Sequence, residues 1–162
     1  MEVKSLELTY GGLGTGDLKR KEIESAIMRK AKIKMLAYQG AFNDLFTHEQ
    51  IYKAKKFGYL PDGYEVHHIV PLCCTNTSYD LNNMVVIDKR SHTWIHNNLY
   101  TPSLAMCKEG QSCAVWVPAF DPTKVFTHKD LEPFIHEWNT VYLAKYGLKA
   151  KDNKRKVRGR AE

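Results

Sequence analysis

The stretch Tyr64-Glu65-Val66-His67-His68-Ile69-Val70-Pro71 sets two histidines side by side in a run of β-branched and aromatic residues that a proline closes. It reads as a short strand, because branched side chains favour the pleated backbone and Pro71 has no N–H to give to a ladder. After a polar, turn-rich segment, Thr75-Asn-Thr-Ser-Tyr-Asp80, the apolar run Met84-Val-Val-Ile87 reads as a second strand. Asp88 then caps a helix expected from Lys89 to about Leu99 and stopped by Pro102. This order of strand, loop, strand and helix gathers four of the seven histidines, His67, His68, His92 and His96, into thirty residues.

Residues four apart on a helix share a face, so His92 and His96 can aim both imidazoles at one ion. Zinc and similar divalent ions accept imidazole nitrogen, and a catalytic site keeps about three protein ligands with one position open. Adjacent side chains on a strand point to opposite sides, which gives His67 and His68 separate tasks. With His67 as the third ligand, His68 is held close by, off the metal, with a nitrogen free to act as a general base. Asn83, at the start of the second strand, can brace the long loop through its side-chain amide.

Glu65-Val66-His67-His68, Pro71, Asn83-Met84-Val85-Val86-Ile87 and His92-Thr-Trp-Ile-His96 together resemble the HNH, or ββα-metal (His-Me finger), endonuclease motif. The likeness is closest to the nuclease colicins and related bacterial toxin nucleases, and it covers residues 64–96 of the 162. The resemblance implies one divalent ion (zinc, magnesium, manganese or nickel) held by His67, His92 and His96, with His68 activating water and Asn83 orienting the loop and the base-bearing strand. Glu65 stands where the colicin-type motif carries an acidic residue, which implies a supporting contact to a ligand. The implied activity is hydrolysis of DNA, by nicking or double-strand cutting, to 5′-phosphate and 3′-hydroxyl ends, in a protein encoded by a phage or mobile element; RNA is an alternative substrate. Two other readings are a toxin-type nuclease domain neutralised by an immunity protein and a non-catalytic, metal-stabilised nucleic-acid-binding module. The chain departs from many family members in having Cys73-Cys74 and Cys107-x5-Cys113 where they carry paired Cys-x-x-Cys zinc knuckles. Lys89 and Arg90 are the basic residues nearest the motif in sequence.

Outside the motif, the length and a hydrophobic content of 43% suit one domain of α+β class. The expected organisation is a flexible lead over 1–16, a single domain over 17–148 with its ββα-metal core at 64–100 and helices on both flanks, and a basic tail over 149–162. The glycine run Gly11-Gly-Leu-Gly-Thr-Gly16 lacks the Gly-Lys-Ser/Thr ending of a phosphate loop. Asp17 can cap a helix with Ile23, Ala26, Ile27, Ala31 and Met35 as its apolar stripe, interrupted at Gly40. Thr47-His-Glu-Gln50 is a capping box leading into Ile51, Ala54 and Phe57, with Gly58 and Pro61 ending that helix. Ala114-Val-Trp-Val117 reads as a strand, paired with Ala105 to Cys107 as a hairpin, and Thr127 caps a helix carrying Leu131, Phe134, Ile135, Trp138, Tyr142 and Tyr146 that Gly147 ends.

The net charge of +6 is unevenly spread. Residues 149–162 hold seven Lys and Arg against two acids, and Lys19 to Lys34 hold seven against Glu22 and Glu24. Such clusters attract polyanions through counterion release, which makes nucleic acid the expected partner. No run reaches the roughly 18 apolar residues that span a bilayer, and the start of the chain lacks a signal-peptide pattern, so a cytoplasmic location in a bacterial or phage-infected cell is expected, with no membrane partner. The four cysteines read as reduced thiols.

Overall fold

The computed structural model describes residues 3–11, 15–74, 80–105 and 107–142. In chain order its elements are β1 (Val3–Thr9), α1 (Thr15–Tyr38), α2 (His48–Phe57), β2 (Tyr64–His68), β3 (Met84–Asp88), α3 (Lys89–Ile95), α4 (Thr101–Leu104), β4 (Ser112–Pro118), β5 (Val125–Phe126) and α5 (His128–Glu137). The fold is of mixed α+β class, as the sequence predicts. One sheet pairs β1 with β4 antiparallel; the other has the order β2-β3-β5, antiparallel between β2 and β3 and parallel between β3 and β5. The basic tail over 149–162, Thr75–Tyr79 of the polar loop, Gly12 and Gly14 of the glycine run, Tyr146 and the end signal Gly147 lie outside the described residues. Among the described residues no helix is long and apolar enough to cross a membrane.

β3 organises the packing because it is apolar on both faces. Met84, Val85, Val86 and Ile87 are all fully buried, as expected of a strand covered from both sides. On one face Met84 and Val86, with Val66 of β2, meet Ile33, Leu36 and Ala37 of α1, Phe42 and Phe46 of the following turn, and Ala54 of α2. On the other face Ile87 joins Trp94 and Ile95 of α3, Val115 and Val117 of β4, and Leu131 and Phe134 of α5. The sheet thus sits between α1–α2 and α3–α5, and alternate residues of β2 face different layers.

Local signals explain the ends of the helices. The Thr47 side chain accepts from Gln50 N–H while the Gln50 side chain accepts from Thr47 N–H, so α2 begins with a reciprocal capping box. Gly58 ends it at φ +68, and a Cβ there would lie 2.9–3.0 Å from the Cβ, Cα and carbonyl oxygen of Lys30. Glycine therefore permits both the left-handed cap and the close approach of α2 to α1. Asp88 caps α3 by accepting from the N–H and the hydroxyl of Ser91. The helix does not stop near Leu99 as predicted: it continues through a π turn, His96–Tyr100, into α4. Thr101 N–H reaches back to the His96 carbonyl, and this widened turn restarts the ladder so that Pro102 falls in the first turn of α4, where its missing N–H costs nothing.

Four further expectations are corrected. Val3–Thr9, read as part of a flexible lead, is a strand, and its alternation turns Leu6, Leu8 and Tyr10 onto the core. β4 pairs with that strand, and the described flanks of the expected partner, Ala105 and Cys107, are not strand; Cys107 leads into the turn closed by the Cys107–Cys113 disulfide. Cys107 and Cys113 are therefore paired, not reduced thiols as expected, and their Cα atoms lie 6.3 Å apart, within disulfide range. In α1 the stripe expected to be buried faces water: Ile23 is 59% and Ile27 66% exposed. The helix carries apolar residues on two faces, and the sheet takes the one that continues into Ile33, Leu36 and Ala37. The polar residues on that buried face have partners: Lys32 Nζ donates to the Pro122 carbonyl at 2.8 Å, and Ser25 meets His68. Burial lowers the Lys32 pKa, against the opposing pull of Asp80 and Asp121.

Gly58→Ala should destabilise the protein by about 2 kcal/mol in chemical denaturation, since the left-handed strain and the contact with Lys30 act together. An unchanged denaturation midpoint would count against a tight α1–α2 crossing.

Candidate metal centre

The pairing of β2 with β3 decides which way each β2 side chain points. Val66 packs toward α1, so His68, two residues on, faces that side as well, where its Nε2 lies 2.9 Å from Ser25 Oγ. Glu65 and His67 face the other side and meet α3. There the ligand nitrogens of His67, His92 and His96 all lie within 4.8 Å of one another. The ring centroids are 4.9 Å apart for His67–His92, 5.3 Å for His67–His96 and 4.6 Å for His92–His96. Three histidines from one strand and one continuous helical segment are thus close enough to hold a metal ion.

Neighbouring groups fix the tautomers that such an ion needs. The Tyr100 hydroxyl donates to the Ile69 carbonyl, so its oxygen accepts from His67 Nε2–H at 3.1 Å. That leaves the lone pair on His67 Nδ1, a buried atom with no hydrogen-bond partner in the protein. Such an orphan is costly unless something uses it, and a metal ion would. His92 Nδ1 donates to Glu65 Oε2, which leaves its Nε2 available and recreates the carboxylate–histidine pairing found around metals. Burial, reinforced by the charges of His92, His96 and His68, holds the His67 pKa well below its ordinary value. Burial and then His92, against Glu65, bring His96 to about 4. Both rings are therefore neutral at pH 7, the state that ligates. Tyr100 stays protonated because burial raises its pKa.

On the α1 side, His68 is 9% exposed, and burial, then Arg29, then His92 bring its pKa to about 4. Arg29 Nε is itself buried without a hydrogen-bond partner in the protein. Asn83 clamps the end of β2: its Oδ1 accepts from Val70 N–H at 2.8 Å, its Nδ2 donates to the Val70 carbonyl at 3.0 Å, and its own carbonyl accepts from Ile69 N–H. This is the bracing predicted from its position. A mostly apolar cleft of about 340 Å³ opens beside His96, walled by Tyr10, Pro71, Cys73, Tyr100 and Leu104.

No family model, curated protein or solved structure matches this chain. The structure brings His67, His92 and His96 together, rests Glu65 on His92, and sets Asn83 immediately before β3, hydrogen-bonded to the chain just beyond His68. Lys89 and Arg90, the basic residues nearest in sequence, are exposed on the first turn of α3, whereas the cation beside His68 is Arg29. Sequence reasoning missed Tyr100, Ser25 and Arg29. Tyr100 had a signal, since it falls four residues after His96 and eight after His92 on the same helical face. Ser25 and Arg29 had none, because the contact of α1 with β2 spans some forty residues of sequence.

Two outcomes follow. Calorimetric titration with Zn²⁺ should give one site per chain, lost in His92→Ala and weakened about 10- to 100-fold in Tyr100→Phe, which frees the His67 tautomer. In the metal-free protein, His67, His68 and His96 bind protons more weakly than the unfolded chain does, whose histidines titrate near 6.5. The unfolded state thus takes up more protons between about pH 6.5 and 4, and the melting temperature should fall as pH drops through that window while staying flat just above it. A metal-free protein as stable at pH 4.5 as at pH 7 would contradict the neutral, buried cluster.

Proposed function

We propose that the protein is a metal-dependent endonuclease of HNH type that hydrolyses phosphodiester bonds in DNA, with β2, β3 and α3 as a ββα-metal core. One observation carries this reading: three imidazoles converge closely enough to share one ion, while a fourth, His68, is held off the cluster by the strand's alternation. An ion with a purely structural task has no use for that fourth imidazole.

Each residue has a definable task. His67, His92 and His96 would hold the ion, with Tyr100 and Glu65 orienting the first two. Three imidazoles suit zinc, nickel or manganese better than magnesium, which prefers oxygen donors. When bound, the ion supplies Lewis-acid stabilisation of charge on the scissile phosphate and the departing 3′-oxygen. His68 acts as general base: with Nε2–H donating to Ser25, its Nδ1 lone pair takes the proton of the attacking water. Arg29, whose Nε has no partner in the protein, is placed to hold a phosphate oxygen by a charge-assisted hydrogen bond. Asn83 keeps the base-bearing strand in register with β3. Attack by water in this arrangement leaves 5′-phosphate and 3′-hydroxyl ends.

Supercoiled plasmid incubated with the purified protein should be nicked or linearised with Zn²⁺, Ni²⁺ or Mn²⁺ and left intact in EDTA. His68→Ala should still bind the metal yet cleave about 10²- to 10⁴-fold more slowly, the usual contribution of a positioned base. Cleavage by His68→Ala at the wild-type rate would remove the base assignment, and no cleavage under any metal would return the site to a structural role.

A further inference from the structure

Every strongly exposed large hydrophobic side chain among the described residues lies between Ile23 and Tyr59, on α1, α2 and the segments that follow them. The same stretch, Lys19 to Tyr59, carries ten Lys and Arg against four acids. Arg29 and Lys32 lie on the inner face of α1; the other eight cations share this stretch with the exposed apolar side chains, a combination of large apolar groups and positive charge that marks a binding surface. None of these exposed apolar side chains belongs to the metal centre.

The rings and lysines are interleaved. Lys56 Nζ lies 5.5 Å from the Tyr52 ring and 5.3 Å from that of Phe57. Phe57 stacks on Tyr59 with centroids 5.4 Å apart and planes at 25°. Lys30 of α1 lies 6.0 Å from Tyr59, and Lys55 of α2 lies 5.5 Å from Tyr38 at the end of α1. These cross-helix pairs join the exposed stripes of both helices into one strip, with Tyr38 73%, Tyr52 55% and Tyr59 54% exposed.

We propose that this α1–α2 face docks single-stranded nucleic acid, bases stacking on Tyr52, Phe57 and Tyr59 and phosphates meeting Lys30, Lys55 and Lys56. Charge selects the class of partner. A second copy of the chain would bring like charge against like. An acidic protein fits a patch with an apolar centre and a charged rim, whereas here a lysine lies beside each ring, Lys56 serving both Tyr52 and Phe57. Single strands present flat base faces and phosphates alternately, the pattern that interleaved aromatics and lysines match, while a duplex hides its base faces. The proposal names the strand form that the proposed nuclease engages, and only in that respect rests on that reading; the binding itself needs no metal.

The test is fluorescence anisotropy of the full-length wild-type protein in EDTA, with a labelled thymidine oligonucleotide of about twenty residues and a duplex of equal length. The variant Tyr52→Ser/Phe57→Ser/Tyr59→Ser keeps every charge. It should lose about tenfold or more in affinity for the single strand and change by less than about twofold on the duplex. Lys55→Gln/Lys56→Gln should instead shallow the salt dependence of single-strand binding. A ring variant that melts like wild type yet binds the single strand unchanged overturns the proposal, as does an equal loss on both probes or equal displacement by polyglutamate. If the triple variant fails to fold, Tyr59→Ser alone reads the same contrast at one exposed position. Binding that behaves as expected while plasmid stays uncut overturns only the nuclease reading.

Discussion

The antiparallel pairing of β2 with β3 is the constraint on which the site depends. Two adjacent histidines on a paired strand cannot face the same way, so the ladder that matches His67 with Val85 and His68 with Met84 also sorts them into different layers. His67 goes to the α3 side, where two further imidazoles await it. His68 goes to the α1 side, where Ser25 and Arg29 wait. Register is held by β3, buried on both faces, and by the double hydrogen bond between Asn83 and the backbone of Val70. A slip of one residue would exchange the two histidines and put the apolar residues of β2 on the wrong side.

Burying so many polar groups is costly unless each is satisfied, and the structure satisfies nearly all of them within the chain. Tyr100 passes a hydrogen bond from His67 to the Ile69 carbonyl, Glu65 accepts a hydrogen bond from His92 Nδ1–H, Ser25 meets His68, and Lys32 reaches the Pro122 carbonyl. Among the described residues three buried side-chain atoms have no partner, His67 Nδ1, Arg29 Nε and His128 Nδ1, and the first two lie on either side of β2. One is a donor atom suited to a cation and the other a donor suited to an anion. An ion on one side and a phosphate on the other would satisfy such a pair.

α1 links this chemistry to the outer surface. Its inner face supplies Ser25, Arg29 and Lys32, while its outer face, read from the sequence as core, displays Ile23 and Ile27 beside the lysines and rings shared with α2. The error came from periodicity itself: Ile23, Ile27 and the later Ile33, Leu36 and Ala37 are all at helical spacing but on different sides, and only contact with the sheet decides which side is buried. The same holds for β1, whose alternation was present in the sequence but whose partner, β4, lies more than a hundred residues away.

The sequence by itself determined the local pieces: the capping box of α2, the cap at Asp88, the two strands around the polar loop, and the set Glu65, His67, His68, Asn83, His92 and His96. These were legible because helical and strand periods fix which near neighbours share a face, and because imidazoles four apart have few other common uses. Tertiary structure alone decided that Tyr100 orients His67, that Ser25 and Arg29 attend His68, that Cys107 and Cys113 pair, and that the outer face of α1 stays in water. The physical reason is range. Hydrogen bonding within a turn or a strand is encoded over a few residues, whereas burial and partner choice across separate elements follow from how whole faces pack against β3.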